Sequence, residues 1–163
     1  MDWVPEQVAP LPEDAQGDAA GEVEIGGQRV SQSLFELFCG EARTHMATLK
    51  AEYDVLKVHG VITDAMLLAA HTLAGIAGTV HFDNLRVFAS AFDRALNSLS
   101  LAPLSSDEED LVDQALVVVE RMVVEALGLA EPTPAPDLLD RLENVAGGAA
   151  AESGPMQREE QVM

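Results

Sequence analysis

The sequence predicts an all-α protein, an antiparallel up-and-down four-helix bundle flanked by flexible acidic tails. Over four successive stretches, apolar residues recur at alternating gaps of three and four, the pattern of one buried helix face. Short breaks separate the stretches, so neighbouring helices must run in opposite directions. Hydrophobic residues make up 48% of the 163 residues but aromatic residues only 4%, so alanine and aliphatic side chains must fill the core.

The first predicted helix begins at Ser33, with Glu36 three residues later in the spacing of a capping box, and ends at Gly60. Its buried face comprises Phe35, Phe38, Ala42, Met46, Leu49, Tyr53 and Leu56. The second helix begins near Thr63, and Asp64 follows in its first turn. Its buried face comprises Met66, Ala70, Leu73, Ala77 and Val80.

The third helix follows Asp83, which we expect to be its N-cap, and Pro103 marks the next break. Its buried face comprises Leu85, Phe88, Ala89, Phe92, Leu96 and Leu99. The fourth helix opens with Ser106 and Glu109, a second capping-box spacing. Its buried face comprises Leu111, Ala115, Val118, Val119, Met122 and Ala126.

Both ends of the chain are rich in proline, glycine or acidic residues and lack a long helical pattern. We expect residues 1–30 to be disordered or extended, with a short extended lead-in from Val23 to Val30. Residues 31–129 form the predicted folded unit. Residues 130–163 read as a linker with one possible short helix over 137–146.

Charge limits the classes of partner. The chain carries 9 Lys and Arg against 28 Asp and Glu, a net charge of -19. Binding to nucleic acid or to anionic membrane surfaces needs clustered basic residues, so we expect neither partner. Apolar runs stay well below the ~20 residues that span a bilayer. The first residues resemble no signal peptide, and we expect a cytoplasmic protein.

One face of the second helix carries an unusual combination. In projection His71 lies opposite the buried face, and Gly75 and Gly78 lie beside it. A glycine inside a helix costs about 0.5–1 kcal/mol relative to alanine. The glycines would give a partner access to the imidazole. The alternative is that they permit close helix packing and that His71 is an ordinary surface residue.

The segment around this face resembles a known family. Residues 69–82, AAHTLAGIAGTVHF, are similar to the phosphoacceptor helix of histidine phosphotransfer (HPt) domains, above all those of chemotaxis-type histidine kinases. Residues 31–49, SQSLFELFCGEARTHMATL, resemble the first helix of the HPt modules in large hybrid kinases that control type IV pili and twitching motility. The resemblance covers residues 31–100 well and residues 101–129 by architecture only.

The resemblance implies that His71 accepts a phosphoryl group and exchanges it with an aspartate of a receiver domain or takes it from a kinase catalytic domain. Asp93 occupies the position of the family's glutamate that orients the imidazole; the alternative is a solvated surface aspartate beside Arg94. The implied docking surface comprises Leu67, Ala74, Gly75 and Gly78. We expect no cofactor or metal in this chain, and Mg²⁺ on the receiver.

The sequence departs from the family at two positions. Ala74 stands where the family has a lysine, and His81 stands where it has a glycine. The missing lysine leaves a second function open, a degenerate bundle that binds partners without being phosphorylated. His81 is either a capping or surface residue or a partial replacement for the lost positive charge. A third function, a structural bundle without signalling, would not need the outward His-Gly-Gly face.

The other histidines and the cysteine give weaker indications of a functional site. His45 and His59 have no carboxylate-rich ligand spacing around them, so a metal site is not expected. Cys39 is the only cysteine, which excludes an internal disulfide, and it reads as a half-buried structural thiol.

Overall fold

The computed structural model describes residues 21–25 and 27–153, with the backbone alone for 148–153. Over these residues five helices follow a small hairpin, and the predicted all-α class is confirmed. The elements are β1 (Glu22–Ile25), β2 (Gln28–Ser31), α1 (Gln32–His59), α2 (Asp64–Thr79), α3 (Asp83–Leu99), α4 (Ser106–Leu127) and α5 (Pro136–Ser153). Helices α1 to α4 pack in a closed ring, since each contacts the next in sequence or, for α4, also α1.

The core of the bundle is built largely from aliphatic side chains and alanines, and three phenylalanine rings form a cluster within it. There the ring centroids of Phe38 and Phe82 lie 5.3 Å apart, and Phe35 lies 6.3 Å from Phe38. The hairpin adds two buried side chains to this core, Ile25 and Val30. The expected extended lead-in is therefore an antiparallel pair of strands that joins the folded unit.

Helix starts follow the predicted chemistry but not always the predicted residue. Ser31, not Ser33, caps α1, and its hydroxyl accepts a hydrogen bond from the N–H of Leu34 at 3.0 Å. The capping box of α4 lies one residue earlier than predicted and joins Ser105 to Glu108. The reason is local: runs such as Ser-Ser-Asp-Glu-Glu contain two overlapping box spacings.

The start of α3 also differs from the prediction. Asp83 is the first residue of the helix, and the N-cap position falls to Phe82, which makes no side-chain cap hydrogen bond. The ring of Phe82 is buried with the other phenylalanines, so packing fixes this helix start. Asp83 lies in the first turn, where a carboxylate is favoured by the helix dipole.

Helix α2 ends in a Schellman turn. The N–H of Phe82 donates to the carbonyl of Ala77 at 3.3 Å, and the N–H of His81 donates to the carbonyl of Gly78 at 3.4 Å. His81 therefore occupies the left-handed position of the motif, with a φ of 65°. Glycine suits this position best, because a side chain is disfavoured there.

The segment after α4 is more ordered than a linker. Helix α5 begins one residue before and ends seven residues after the predicted helix over 137–146, and it packs against α3. Two of its side chains, Leu138 and Leu142, are buried. The connection before it is also anchored, because the side-chain amide of Asn84 donates to the carbonyl of Pro132 at 3.0 Å.

Residues 1–20 and 154–163, for which we predict acidic tails, lie outside the described residues. Within the part of the chain that the structure describes, the helices are too short or too polar to cross a membrane.

Candidate functional site

Helix α2 positions His71 on the outside of the bundle. Thr63 caps the helix: its hydroxyl accepts from the N–H of Met66 at 3.1 Å and donates to Glu52 on α1 at 2.7 Å. The buried face of the helix then points inward, including Met66, Ala70, Leu73 and Ala77. As a result the side chain of His71 is 76% exposed. Its ring projects away from the core, as the projection of the sequence predicts.

The imidazole of His71 is held from one side. Its Nδ1 lies 3.0 Å from Oδ2 of Asp93, which projects from α3. A carboxylate only accepts hydrogen bonds, so this contact requires the proton of the ring to be on Nδ1. The side chain of Asp93 is 14% exposed, whereas the ring it contacts is largely open to solvent. In the neutral ring this tautomer leaves Nε2 with a free lone pair, on a side chain that is largely exposed.

A groove of about 340 Å³ runs beside this pair, between α2 and α3. Its lining comprises His71, Ala74, Gly75, Gly78, Arg86, Ser90, Asp93 and Arg94. The residues from α3 share one stripe, because positions 86, 90, 93 and 94 follow helical spacing. Two of the nine Lys and Arg residues of the chain therefore line this groove, while α2 contributes no charged residue to it.

The two glycines have different surroundings. A β-carbon at Gly75 would meet no atom within 4 Å, so close packing of helices does not explain this glycine. A β-carbon at Gly78 would lie 3.1 Å from Cδ of Arg86. The alternative that both glycines permit close helix packing therefore does not hold at Gly75. At Gly78 the absent side chain makes room for one arginine side chain of α3.

The other two residues of the expected docking surface are less exposed than His71. Leu67 is half-buried, and Ala74 is buried and forms part of the floor of the groove. Leu68, which the sequence pattern did not single out, is the large apolar residue of this helix that is exposed, at 67%. On the α1 side a second, more apolar groove of about 310 Å³ is lined by Leu34, Leu37, Phe38, Glu41, Ile76 and Thr79.

Comparison with known protein families gives one result for this fold and site. The Hpt domain family matches residues 33–144, more than half of the chain. The chain belongs to the Hpt domain family. Hpt domains carry histidine phosphotransfer in phosphorelays, where they interact with receiver domains and kinases. A search among characterised proteins gave no match to this chain. The matched range begins in α1 and runs into α5.

The two departures of this Hpt domain from the family pattern have structural surroundings of their own. Ala74 leaves no cation on α2, but Arg86 and Arg94 line the same groove from α3. Sequence reasoning missed both arginines as groove residues. The available signal was their helical spacing from Asp93. His81 is a capping residue, at the Schellman position of α2, and it does not line the groove.

The remaining candidate groups of the Hpt domain lie away from the groove. Nε2 of His45 contacts Glu41 on its own helix at 3.2 Å, and His59 is exposed at the end of α1. Cys39 is half-buried, and burial raises the pKa of its thiol. Among the residues that the structure describes, no three His, Cys, Asp or Glu side chains are placed to hold a metal ion.

Proposed function

We propose that His71 is the phosphoacceptor of this Hpt domain and that it transfers a phosphoryl group to or from an aspartate of a receiver domain. The observation that carries the proposal is the contact between Nδ1 of His71 and Asp93 on an imidazole that is 76% exposed. It combines a fixed ring with a nucleophilic nitrogen open to a partner. Of the four histidines, His71 is the one in the groove.

The reaction asks little else of the domain. Nε2 attacks phosphorus and forms a P–N bond while the opposite P–O bond to the donor breaks, so that the donor leaves as the carboxylate of a receiver aspartate or, from a kinase, as ADP. The proton on Nδ1 remains in its hydrogen bond to Asp93. The phosphoryl group adds negative charge to a groove that Arg86 and Arg94 also line, and cations in that groove favour the added charge. In the reverse direction the aspartate of a receiver attacks the same phosphorus. The Mg²⁺ ion that this step needs belongs to the receiver.

The docking surface that we propose comprises Leu67, Ala74, Gly75 and Gly78, with His71 at its centre. Open space over Gly75 supports it, because a loop of a partner can approach the backbone there. A receiver site that holds Mg²⁺ is acidic, and a strongly negative surface would repel it. The absence of charged residues from 65 to 82 avoids that repulsion in a chain of net charge -19.

The biological setting that we propose is a chemotaxis-type histidine kinase, of the hybrid kind that controls type IV pili and twitching motility. The similarity of residues 31–49 and 69–82 to the HPt modules of those kinases supports it. Such a kinase would phosphorylate His71 through its catalytic domain, on the cytoplasmic side of the membrane.

The test uses the whole chain and a small donor. Phosphoramidate transfers its phosphoryl group to histidine without a partner protein, and the product is acid-labile and base-stable. We expect the wild type and the matched variants His45→Gln and His59→Gln to be labelled at similar rates, and His71→Gln far more slowly, because phosphoramidate reacts only slowly with ordinary exposed histidines such as His59. A receiver domain that takes label from the wild type then tests transfer, which Gly75→Phe should block while direct labelling persists.

The outcomes separate the functions that the sequence leaves open. Labelling of His71→Gln at the rate of the wild type would overturn the assignment of the phosphoacceptor. No label on the wild type, together with retained binding of a receiver, would indicate a bundle that only binds partners. If the wild type neither takes label nor binds a receiver, a structural bundle without signalling is the function that remains.

A further inference from the structure

Asn97 lies one turn beyond Asp93 on α3 and contacts it twice. Its side-chain Nδ2 donates to Oδ1 of Asp93 at 3.0 Å and to the backbone carbonyl of Asp93 at 2.8 Å. Both partners are acceptors, so the NH₂ end of the amide must face them. The amide is thereby fixed to the helix backbone and to the carboxylate at once.

The two oxygens of Asp93 therefore have different partners. Oδ1 accepts from Asn97, and Oδ2 lies 3.0 Å from Nδ1 of His71. A rotation of the carboxylate about its last bond would break both contacts. Three side chains thus form one hydrogen-bonded series, from Asn97 through Asp93 to His71. The series crosses from α3 to α2 at the edge of the groove.

The length of Asp93 makes this support important. An aspartate has one methylene fewer than a glutamate, so its carboxylate reaches across the interhelical space in fewer orientations. A neutral imidazole in water favours the proton on Nε2, the nitrogen that must be unprotonated to attack phosphorus. The contact with Asp93 reverses that preference only while the carboxylate is aimed at Nδ1.

We propose that Asn97 is a positioning residue, which aims the carboxylate of Asp93 at His71 and so maintains the tautomer with a free Nε2. The inference rests on the proposed function of His71, and it adds a residue that acts through Asp93 and not on the phosphoryl group. Asn97 is exposed and does not line the groove, so it has no direct part in docking there.

The test measures the tautomer of His71 directly in the whole chain. Nitrogen NMR of ¹⁵N-histidine protein, at a pH where the ring is neutral, distinguishes a proton on Nδ1 from one on Nε2, and His71→Gln identifies the signal. We expect Nδ1–H in the wild type and a shift toward Nε2–H in Asn97→Ala. Labelling by phosphoramidate should fall roughly 2- to 10-fold, as for the loss of one hydrogen bond.

Two further variants give the controls. Asn97→Gln keeps an NH₂ donor four residues from Asp93 and should keep the tautomer of the wild type. Asn144→Ala removes an exposed amide from α5 and should change neither readout. Alanine is favourable in an exposed helix, so Asn97→Ala should fold.

The inference is overturned if Asn97→Ala keeps the tautomer of the wild type, or if Asn97→Gln shifts as far as Asn97→Ala. Its failure is distinct from failure of the proposed function. The tautomer reports on the series of contacts even in a protein that takes no label, whereas the labelling rate of His71→Gln concerns only the phosphoacceptor.

Discussion

The stem of Arg86 on α3 lies across Gly78 on α2, so close that a β-carbon at Gly78 would be 3.1 Å from Cδ of the arginine. The contact joins the two helices that build the groove. It also places the guanidinium group of Arg86 in the groove, to which α2 contributes no Lys, Arg, Asp or Glu. Gly75, one turn before, has open space in the same direction.

The first prediction compares the two glycines. Gly75→Ala should raise the free energy of unfolding by about 0.5–1 kcal/mol, because alanine favours a helix and meets no atom there. Gly78→Ala should raise the free energy of unfolding by less, because the stem of Arg86 must move. In an Arg86→Ala background the gain at Gly78 should recover, as measured by urea denaturation. An equal gain at both glycines in the wild-type background would contradict this account of the contact.

The second prediction concerns charge in the groove. The double variant Arg86→Gln/Arg94→Gln should be labelled by phosphoramidate about 2- to 5-fold more slowly at low salt, the range expected of exposed charges. The difference should shrink as salt is added, because ions screen the attraction for the anionic donor. The matched control is Arg43→Gln/Arg141→Gln, which removes the same charge away from the groove. A loss of the same size in the control would show that net charge alone is responsible.

The third prediction concerns the end of α2. His81→Gly should raise the free energy of unfolding by about 0.5–1 kcal/mol, because a side chain is strained at a φ of 65° and glycine is not. Thermal or urea unfolding measures the change. Labelling of His71 should stay as in the wild type. A marked fall in labelling would instead support the interpretation that His81 replaces the charge of the missing lysine.

The fourth prediction concerns the turn after α4. Thr133 donates to Glu125 through its backbone N–H at 2.9 Å and its hydroxyl at 3.0 Å. The hydrogen bond from the backbone N–H of Thr133 contributes most to lowering the pKa of Glu125. The hydroxyl of Thr133 and the guanidinium of Arg121 lower it further. A carboxylate with a lowered pKa stabilises the fold above its unfolded pKa, and this contribution is lost as the pH falls through the folded pKa.

Glu125→Gln should therefore be less stable than the wild type at neutral pH, and the difference should narrow in acid. Urea denaturation over a series of pH values measures it. The matched variant is Glu120→Gln, which removes an exposed pair with Lys50 on the other side of α4. A gap between wild type and Glu125→Gln that stays constant with pH would refute the role of this carboxylate.

Much of the site follows from the sequence because helical periodicity fixes which residues face outward. The spacing around His71 and Gly75 was enough to place both on the solvent side of α2. Periodicity says nothing of the register between two helices, and that register decides that Arg86 lies over Gly78. The contact of Arg86 with Gly78 therefore emerges only from the packed structure, whereas the helical spacing of Arg94 and Asn97 from Asp93 was already present in the sequence.

The limits of the fold prediction have a similar cause. Leu138 and Leu142 reveal one apolar helix face, but a face so short does not identify its partner. Helix α5 packs on α3, an element two helices earlier in the chain. Proline-rich composition suggested a spacer before it, whereas the contacts of Asn84 and Glu125 tie that segment to the bundle.

The packing of α5 on α3 also determines which part of the fold opens first. Its attachment relies on two buried leucines, each worth about 1.5–3 kcal/mol, and on exposed polar contacts such as Arg94 with Glu143. Detachment of α5 exposes far less apolar surface than separation of α1 to α4 would. Amide hydrogens of α5 should therefore exchange with solvent through a local opening, while those of α2 and α3 await global unfolding. The groove that contains His71 would then belong to the part of the molecule that opens least often.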